Sequence, residues 1–377
     1  MKRVVILADI YQKNHESLYK NITKKLPQDC HLDFVIGNKL ELSLPRSNTI
    51  KFHTKKKNET FLSFMISRKH IFDQADLVII EELYTPNLAM LLPILIYGHK
   101  SLQIIHNVNK FLSRTFKLNN IKSIIAFLFF KIIKLNTKGI IVISQNVKEY
   151  IIDKKLFQKS IYYIPFNDSG SEVFFQKKNS GKPIKFTIPG TVNTERRNYK
   201  IFLKVFIDIL DRNPEYNLKL CFLGKTVKMD KEVQSLVEKL KELNPKAIDL
   251  WTEYIDDETY HNQLLSSNYL IGNINVEYTE NNIKEVYGQS KETGVLFLML
   301  EYKIPTLFPS EYSYSKLYEG YIINYTDTEE CLSNTIIDLL KTYNSKKNIS
   351  FGEHDDYVKK EWSKIYNKFF DKEWSKS

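Results

Sequence analysis

The chain has 377 residues, 43% of them hydrophobic, and a formal net charge of +11, a length and composition that suit two domains with full cores and exclude disorder. The charge is uneven: residues 1–165 hold 26 Lys and Arg against 12 Asp and Glu, a balance of +14, so the remainder carries −3. Such asymmetry points to an anionic partner for the first half (a lipid surface, a phosphorylated acceptor or nucleic acid), or to a surface merely solvated with lysine. The longest apolar runs, 88–98 (broken by Pro93) and 124–130, fall short of the roughly 18–20 residues that span a bilayer.

In chain order, the apolar run 4–7 meets Asp9 and predicts a first strand rather than an export signal. Residues 16–26, with Leu18, Ile22 and Leu26, predict a helix, and 32–36 a second strand. Residues 38–60 are polar and basic and read as a surface loop with an extended piece at 49–53. Strands are then expected at 75–80, 102–106, 139–144 and 161–164, alternating with helices through 88–97, 119–135 and 146–152. Each strand is a continuous apolar run, the pattern of a parallel sheet covered on both faces. After a polar connector the alternation restarts, with strands at 184–188, 218–223, 248–250, 269–274, 306–308 and 320–323. Helices are expected at 200–210, 231–243, 256–267, 293–302 and 329–343, and a last one at 355–370 carries Val358, Trp362, Ile365 and Phe369 at helical spacing. The expected plan is α/β, two doubly wound domains in tandem: residues 1–165, a linker at 166–183, a second domain at 184–345 and a closing helical segment at 346–377.

Cys30, Cys221 and Cys331 are too few and too scattered for a disulfide framework or a zinc site, and they suit a reduced, cytoplasmic setting. No glycine-rich dinucleotide loop, P-loop, Ser/His/Asp pattern or metal-ligand spacing is present, which argues against hydride transfer and P-loop chemistry. Open parallel sheets bind ligands beyond the carboxyl ends of their strands, so the polar residues there are the candidates. Gly190 and Thr191 follow the strand at 184–188, and Arg196 and Arg197 stand a few residues on. The glycine allows close approach to the backbone and the arginines can clamp a diphosphate, unless they are solvated residues of a turn. Trp251 and Tyr254 could flank a base or fill a core. His106, with Asn107 and Asn109 after it, ends a strand where a sugar hydroxyl or a phosphate could be bound, or where it serves structure alone.

The helix expected at 293–302 is apolar almost all round through Val295–Leu300 and must be buried on several sides. Its start, from Ser290 through Lys291, Glu292 and Thr293 to Gly294, is polar, and an open helix N-terminus attracts anions. Glu292 there can contact a ligand or simply place a favourable charge at the helix dipole. The helix at 119–135 is apolar and basic; it can cover the sheet, lie against an anionic membrane surface, or do both.

The order of these pieces resembles a GT-B glycosyltransferase, most similar to the large retaining family 4. The landmarks are ADLVII at 75–80, His106 at its strand end, GIIVISQNVKEY at 139–150, YYIP at 162–165, IPGTVNTERRN at 188–198, LKLCFLG at 218–224 and the stretch 287–305. The resemblance implies two Rossmann-like domains with a C-terminal crossing helix and transfer of a sugar from a nucleotide-sugar donor, with retention and without a metal or other cofactor. The donor would bind the second domain, its diphosphate held by Gly190, Thr191, Arg196, Arg197, Thr293 and Gly294 and its nucleoside by Trp251 and Tyr254. A saccharide or lipid-linked saccharide acceptor would bind the first domain near Asn107 and Asn109, with His106 and Glu292 at the transferred sugar. The chain departs from the family in lacking the glycine-rich loop after the first strand. Its family glutamate pair is not kept either: Ser290 and Leu298 stand at those positions, while Glu292 and Glu301 are nine residues apart instead of eight. On a helix one extra residue turns a side chain by about 100°, so Glu301 does not simply inherit the ribose contact. The missing pair favours one rival, a non-catalytic GT-B subunit that scaffolds an active transferase. An epimerase or hydrolase on the same fold is a second. A nucleic-acid-binding protein is disfavoured by the absence of any recognition module.

Overall fold

The computed structural model describes residues 2–8, 16–26, 30–37, 49–83, 86–114, 120–166, 182–194, 197–280, 283–343 and 352–370. Two compact units divide the chain: the first comprises 1–167, 279–292 and 354–377, the second 168–278 and 293–353.

In the first unit the apolar runs become strands because only a sheet interior hides both their faces. The elements are β1 (Arg3–Ala8), α1 (Glu16–Lys25), β2 (His31–Ile36), β3 (Ile50–Thr54), α2 (Phe61–Ser67), α3 (Lys69–Asp73), β4 (Leu77–Ile80), α4 (Leu91–Tyr97), β5 (Ser101–Ile105), α5 (Val108–Leu112), α6 (Ile121–Asn136), β6 (Gly139–Val142), α7 (Gln145–Asp153) and β7 (Ser160–Tyr163). The seven strands run in the order β3-β2-β1-β4-β5-β6-β7, every described pair parallel. The order reverses between β1 and β4, which makes the carboxyl edge there the natural ligand crevice of this sheet. Val4 through Ala8 at its centre are fully buried.

The second unit repeats the plan with β8 (Ile184–Pro189), β9 (Val192–Asn193), α8 (Tyr199–Arg212), β10 (Leu218–Lys228), α9 (Lys231–Leu243), β11 (Ile248–Trp251), α10 (Asp257–Leu265) and β12 (Tyr269–Ile271). The strands β13 (Glu277–Glu280) and β14 (Ile283–Val286) come next and pair with each other. Then come α11 (Gly294–Tyr302), β15 (Thr306–Pro309), β16 (Ile322–Tyr325) and α12 (Glu329–Thr342). The sheet order is β11-β10-β8-β12-β15-β16, reversing between β8 and β12. Polar N-caps start the covering helices: Asp230 for α9, Asp256 for α10 and Thr328 for α12 each accept a backbone N–H, an interaction worth about 1 kcal/mol.

The last helix, α13 (Gly352–Phe369), packs in the first unit. Trp362, Ile365 and Tyr366 are each 1% exposed, and the Tyr366 hydroxyl donates to the Lys25 carbonyl. Glu361 is fully buried and accepts from Lys148 Nζ at 2.6 Å and from the Tyr163 amide at 3.0 Å. Burial alone would raise the Glu361 pKa, but hydrogen bonds from Lys148 and Lys364 outweigh it and leave it lowered.

Several boundaries differ from the sequence expectation for local reasons. The strand expected at 218–223 continues to Lys228 because β9 pairs with its extension, Thr226 opposite Val192, after a register shift between Phe222 and Lys225. The strand expected at 139–144 stops at Val142 because the Ser144 side chain caps α7. The helix expected at 293–302 begins at Gly294 with Thr293 as N-cap. Ser290, Lys291 and Glu292 are therefore not its first turn, and they pack in the first unit. Unanticipated are α2, α3, α5, β9 and the β13–β14 pair, all too short or too polar to leave a periodic signal.

Candidate functional site

The candidate residues fall in two clusters, one in each unit. In the second unit Gly190 ends β8 with φ +95°, a conformation that favours glycine. Its carbonyl oxygen would lie 2.3 Å from a Cβ on Gly224, and a Cβ on Gly190 itself would meet Arg197 Nη2 at 3.1 Å. Glycine is thus required at Gly224 by close backbone approach and favoured at Gly190 by its positive φ. Arg197 is pinned over this loop: its Nη1 donates to the Pro189 carbonyl at 2.7 Å, and its backbone bridges Ile274, three residues past β12. The guanidinium is therefore held at the carboxyl edge, on the two strands between which the sheet order reverses. Thr191 is exposed, and its carbonyl accepts from the Tyr199 hydroxyl at 3.4 Å. Arg196 lies outside the described residues.

Two tyrosines, Tyr199 and Tyr260, lie within electrostatic reach of this arginine, and Tyr254 and Glu301 lie within reach of Tyr260. Burial raises the Tyr260 pKa to about 12, opposed by the positive charge of Arg197 and reinforced by the negative charge of Glu301. Tyr199 is also raised by burial and opposed by Arg197. Tyr254, 71% exposed, lies close enough to act on Tyr260. Trp251 is half-buried at the end of β11, where its carbonyl accepts from Thr226 Oγ1 at 2.8 Å. Neither Trp251 nor Tyr254 fills the core.

At the start of α11, Thr293 accepts the Val295 N–H at 3.3 Å, and a Cβ on Gly294 would meet nothing within 4 Å. The helix behind this opening is buried through Val295, Leu296, Phe297, Met299 and Leu300. Its first residue, Gly294, is exposed, so the positive end of the helix dipole borders open space, although the Val295 and Leu296 amides are already bonded to Thr293. Asn273, two residues past β12, was not anticipated. It is 2% exposed, and neither polar atom of its side chain has a hydrogen-bond partner among the described residues. The available signal was a Gly-Asn pair directly after an apolar strand.

In the first unit His106 follows β5 and is 9% exposed, its ring edge-on to Phe166 at 6.1 Å. Glu82, which follows β4, organises this corner. Its carboxylate accepts the His106 and Asn107 amides at 3.2 and 3.0 Å and the Asn107 side-chain amide at 3.2 Å. Sequence reading passed over Glu82, although two acids at the end of a buried strand were a legible sign. Asn109 is engaged as well, donating to the Lys284 carbonyl at 2.9 Å and accepting from Tyr150 at 3.2 Å. Both asparagines thus hold the framework with their side chains.

The stretch Thr279–Glu292 is fastened to the same corner. Glu285 caps α5 by accepting the Lys110 amide at 2.8 Å and the Asn109 amide at 3.3 Å; burial raises its pKa against these bonds. The Val108 amide donates to the Ser290 carbonyl at 2.8 Å. Glu292 is 7% exposed and accepts from Asn146 Nδ2, at the start of α7, at 2.9 Å. Because Glu292 precedes the N-cap, the helical rotation separating it from Glu301 does not describe their relation. Glu301, by contrast, is on α11 and acts on Tyr260 and Tyr302. Among the described residues no group of three or more His, Cys, Asp or Glu could hold a metal ion.

No protein-family model matches the chain, and no curated protein matches it in sequence. Among solved structures it is similar to Anabaena HepE in complex with UDP, with a TM-score of 0.52 and 10% identity over 98% of this chain and 96% of that one. It is also similar to the S. aureus MnaA–UDP co-structure, with a TM-score of 0.51 and 11% identity over 100% of both chains. The lipopolysaccharide outer core galactosyltransferase WaaB in its apo form gives a TM-score of 0.50 and 14% identity over 98% of both chains. The fold class is GT-B: two parallel-sheet α/β domains with a C-terminal helix that returns to the first unit.

Proposed function

We propose that the protein is a glycosyltransferase that moves a sugar from a nucleotide-sugar donor to a saccharide or lipid-linked saccharide acceptor in surface polysaccharide or glycolipid synthesis. The observation that carries this reading is the carboxyl edge of the second sheet, where Arg197 is pinned over the Gly190 turn. The open N-terminus of α11 supports it from the same edge. A guanidinium and a helix terminus neutralise the charge that collects on a departing nucleoside diphosphate. In this reading Gly190, Thr191, Arg197, Thr293 and Gly294 hold the diphosphate, with Arg196 beside them, and the Asn273 carboxamide adds a polar contact. Trp251 and Tyr254 flank the nucleoside. His106 and Glu292 act at the transferred sugar and the acceptor binds the first unit, with retention of configuration and no metal, as the resemblance to family 4 implies. Two solved structures of this fold are described with UDP, which makes a uridine diphosphate donor the first to test.

Calorimetric titration with a panel of nucleoside diphosphates, followed by donor turnover and product analysis, tests the reading. Binding with transfer is the expected outcome, and no binding of any nucleoside diphosphate at millimolar concentration refutes it. Binding without turnover would instead identify a non-catalytic subunit, the reading that the altered glutamate pair favours. An epimerised or hydrolysed donor would identify an epimerase or hydrolase.

A further inference from the structure

One face of the first unit combines exposed apolar surface with a run of chain that holds no acidic residue. Of the fourteen large apolar side chains exposed among the described residues, ten lie between Leu62 and Leu135. They concentrate on α6 and on its neighbour α4 with the turn before it. At about 100° per residue, Ile121, Ile125, Leu128 and Leu135 fall within about 40° of one line along α6. Ala126, Phe129, Phe130 and Ile133 hold the opposite, buried side. Ile121 is 67% and Leu128 50% exposed. Leu88, Leu92 and Leu95 repeat the same spacing at α4.

The chain around these stripes is purely cationic. From residue 83 to 148 there is no Asp or Glu, and there are nine Lys and Arg. Lys122 and Lys131 are both exposed and lie on either side of the α6 line, at about 100° and about 80° from it. Beside the helix a cavity of about 250 Å³ is lined by Phe111, Phe127 and Phe130 together with Arg114, Lys131 and Lys134. The Arg114 guanidinium sits over the Phe130 ring at 5.6 Å, and its Nε has no hydrogen-bond partner among the described residues.

We propose that the α4–α6 face of the first unit docks on an anionic lipid bilayer, the apolar stripes entering the interface and the lysines and Arg114 meeting headgroup phosphates. An apolar stripe flanked by cations fits the boundary between acyl chains and anionic headgroups, and the aromatic cavity gives an acyl chain room beside Arg114. Charge selects this occupant. Both stripes belong to a run of chain with no acidic residue, and the carboxylate beside α4, Asp73, is already engaged by Lys69 and the Tyr97 hydroxyl. A second copy of the face would therefore meet like charge. Among the described residues no helix is long and apolar enough to cross a membrane, so the attachment is peripheral. It stands whether or not the second unit binds a nucleotide.

The full chain is sedimented with vesicles of phosphatidylcholine alone and with vesicles that also contain phosphatidylglycerol. Binding is expected only to the anionic vesicles, and it weakens with added salt. Two double variants, Ile125→Gln/Leu128→Gln and Lys122→Glu/Lys131→Glu, change exposed side chains only, and unchanged thermal unfolding confirms that they fold. Each is expected to weaken vesicle binding about tenfold. Absence of binding to either vesicle, equal binding to both, or binding that neither variant alters overturns the proposal. A concentration-dependent dimer dispersed by Ile125→Gln/Leu128→Gln also overturns it, because the stripe would then belong to a second copy.

Discussion

Arg197 reaches back to the Pro189 carbonyl while its backbone bridges Ile274, so its charge is positioned before any ligand arrives. Such preorganisation lowers the entropy lost on binding. Arg197→Ala is expected to weaken nucleoside diphosphate binding by about 1.5–3 kcal/mol, the usual worth of a hydrogen bond to a charged group. Calorimetry on the folded variant checks this, and unchanged affinity removes Arg197 from the site. Gly190 and Arg197 were legible in the sequence because a glycine after a buried strand and an arginine nearby are local signs. Glu82 and Asn273 were not singled out, since their importance lies in what surrounds them. Glu82 matters for the amides of a neighbouring strand end, and Asn273 for having no partner among the described residues.

At the scale of elements, the ends carry most of the specific chemistry. The α7 helix closes through Lys155, held at φ +52° with its amide bonded to the Ile152 carbonyl at 3.0 Å. A left-handed lysine is strained where glycine is not, so Lys155→Gly is expected to stabilise the protein by about 1 kcal/mol, measured by urea unfolding. The α13 helix is fastened by the buried Lys148–Glu361 pair. Glu361→Gln leaves the buried ammonium without its counter-charge and is expected to cost about 3 kcal/mol. Because the folded pKa of Glu361 lies below its ordinary 4.5, its contribution is complete above that value. It disappears as pH falls through the depressed value. The stability gap between wild type and Glu361→Gln should therefore narrow on acidification through that range. A gap independent of pH there would show that the Glu361 charge does not tie α13 down.

Across the whole molecule, sequence order and packing order disagree. The final helix buries Trp362, Ile365 and Tyr366 in the first unit, and fully burying one such side chain stabilises by about 1.5–3 kcal/mol. A chain ending at residue 343 is therefore expected to lose protection from hydrogen exchange in β1, β4 and β5 while β8, β10 and β12 keep theirs. Uniform loss in both sheets, or none, would contradict that division.

The sequence by itself determined most of the strands, most of the helices and the tandem α/β plan. Burial on both faces of a strand, or on one side of a helix, writes a periodic apolar pattern that is local and therefore readable. The final helix was anticipated in the first unit only through the GT-B resemblance. Tertiary structure alone decided that Thr279–Glu292 leaves the second unit to cap α5 with Glu285, and that Glu292 meets Asn146 instead of opening α11. The partners in these contacts lie 146 to 175 residues apart in sequence, and a polar segment gives no local sign of which unit will receive its carboxylates.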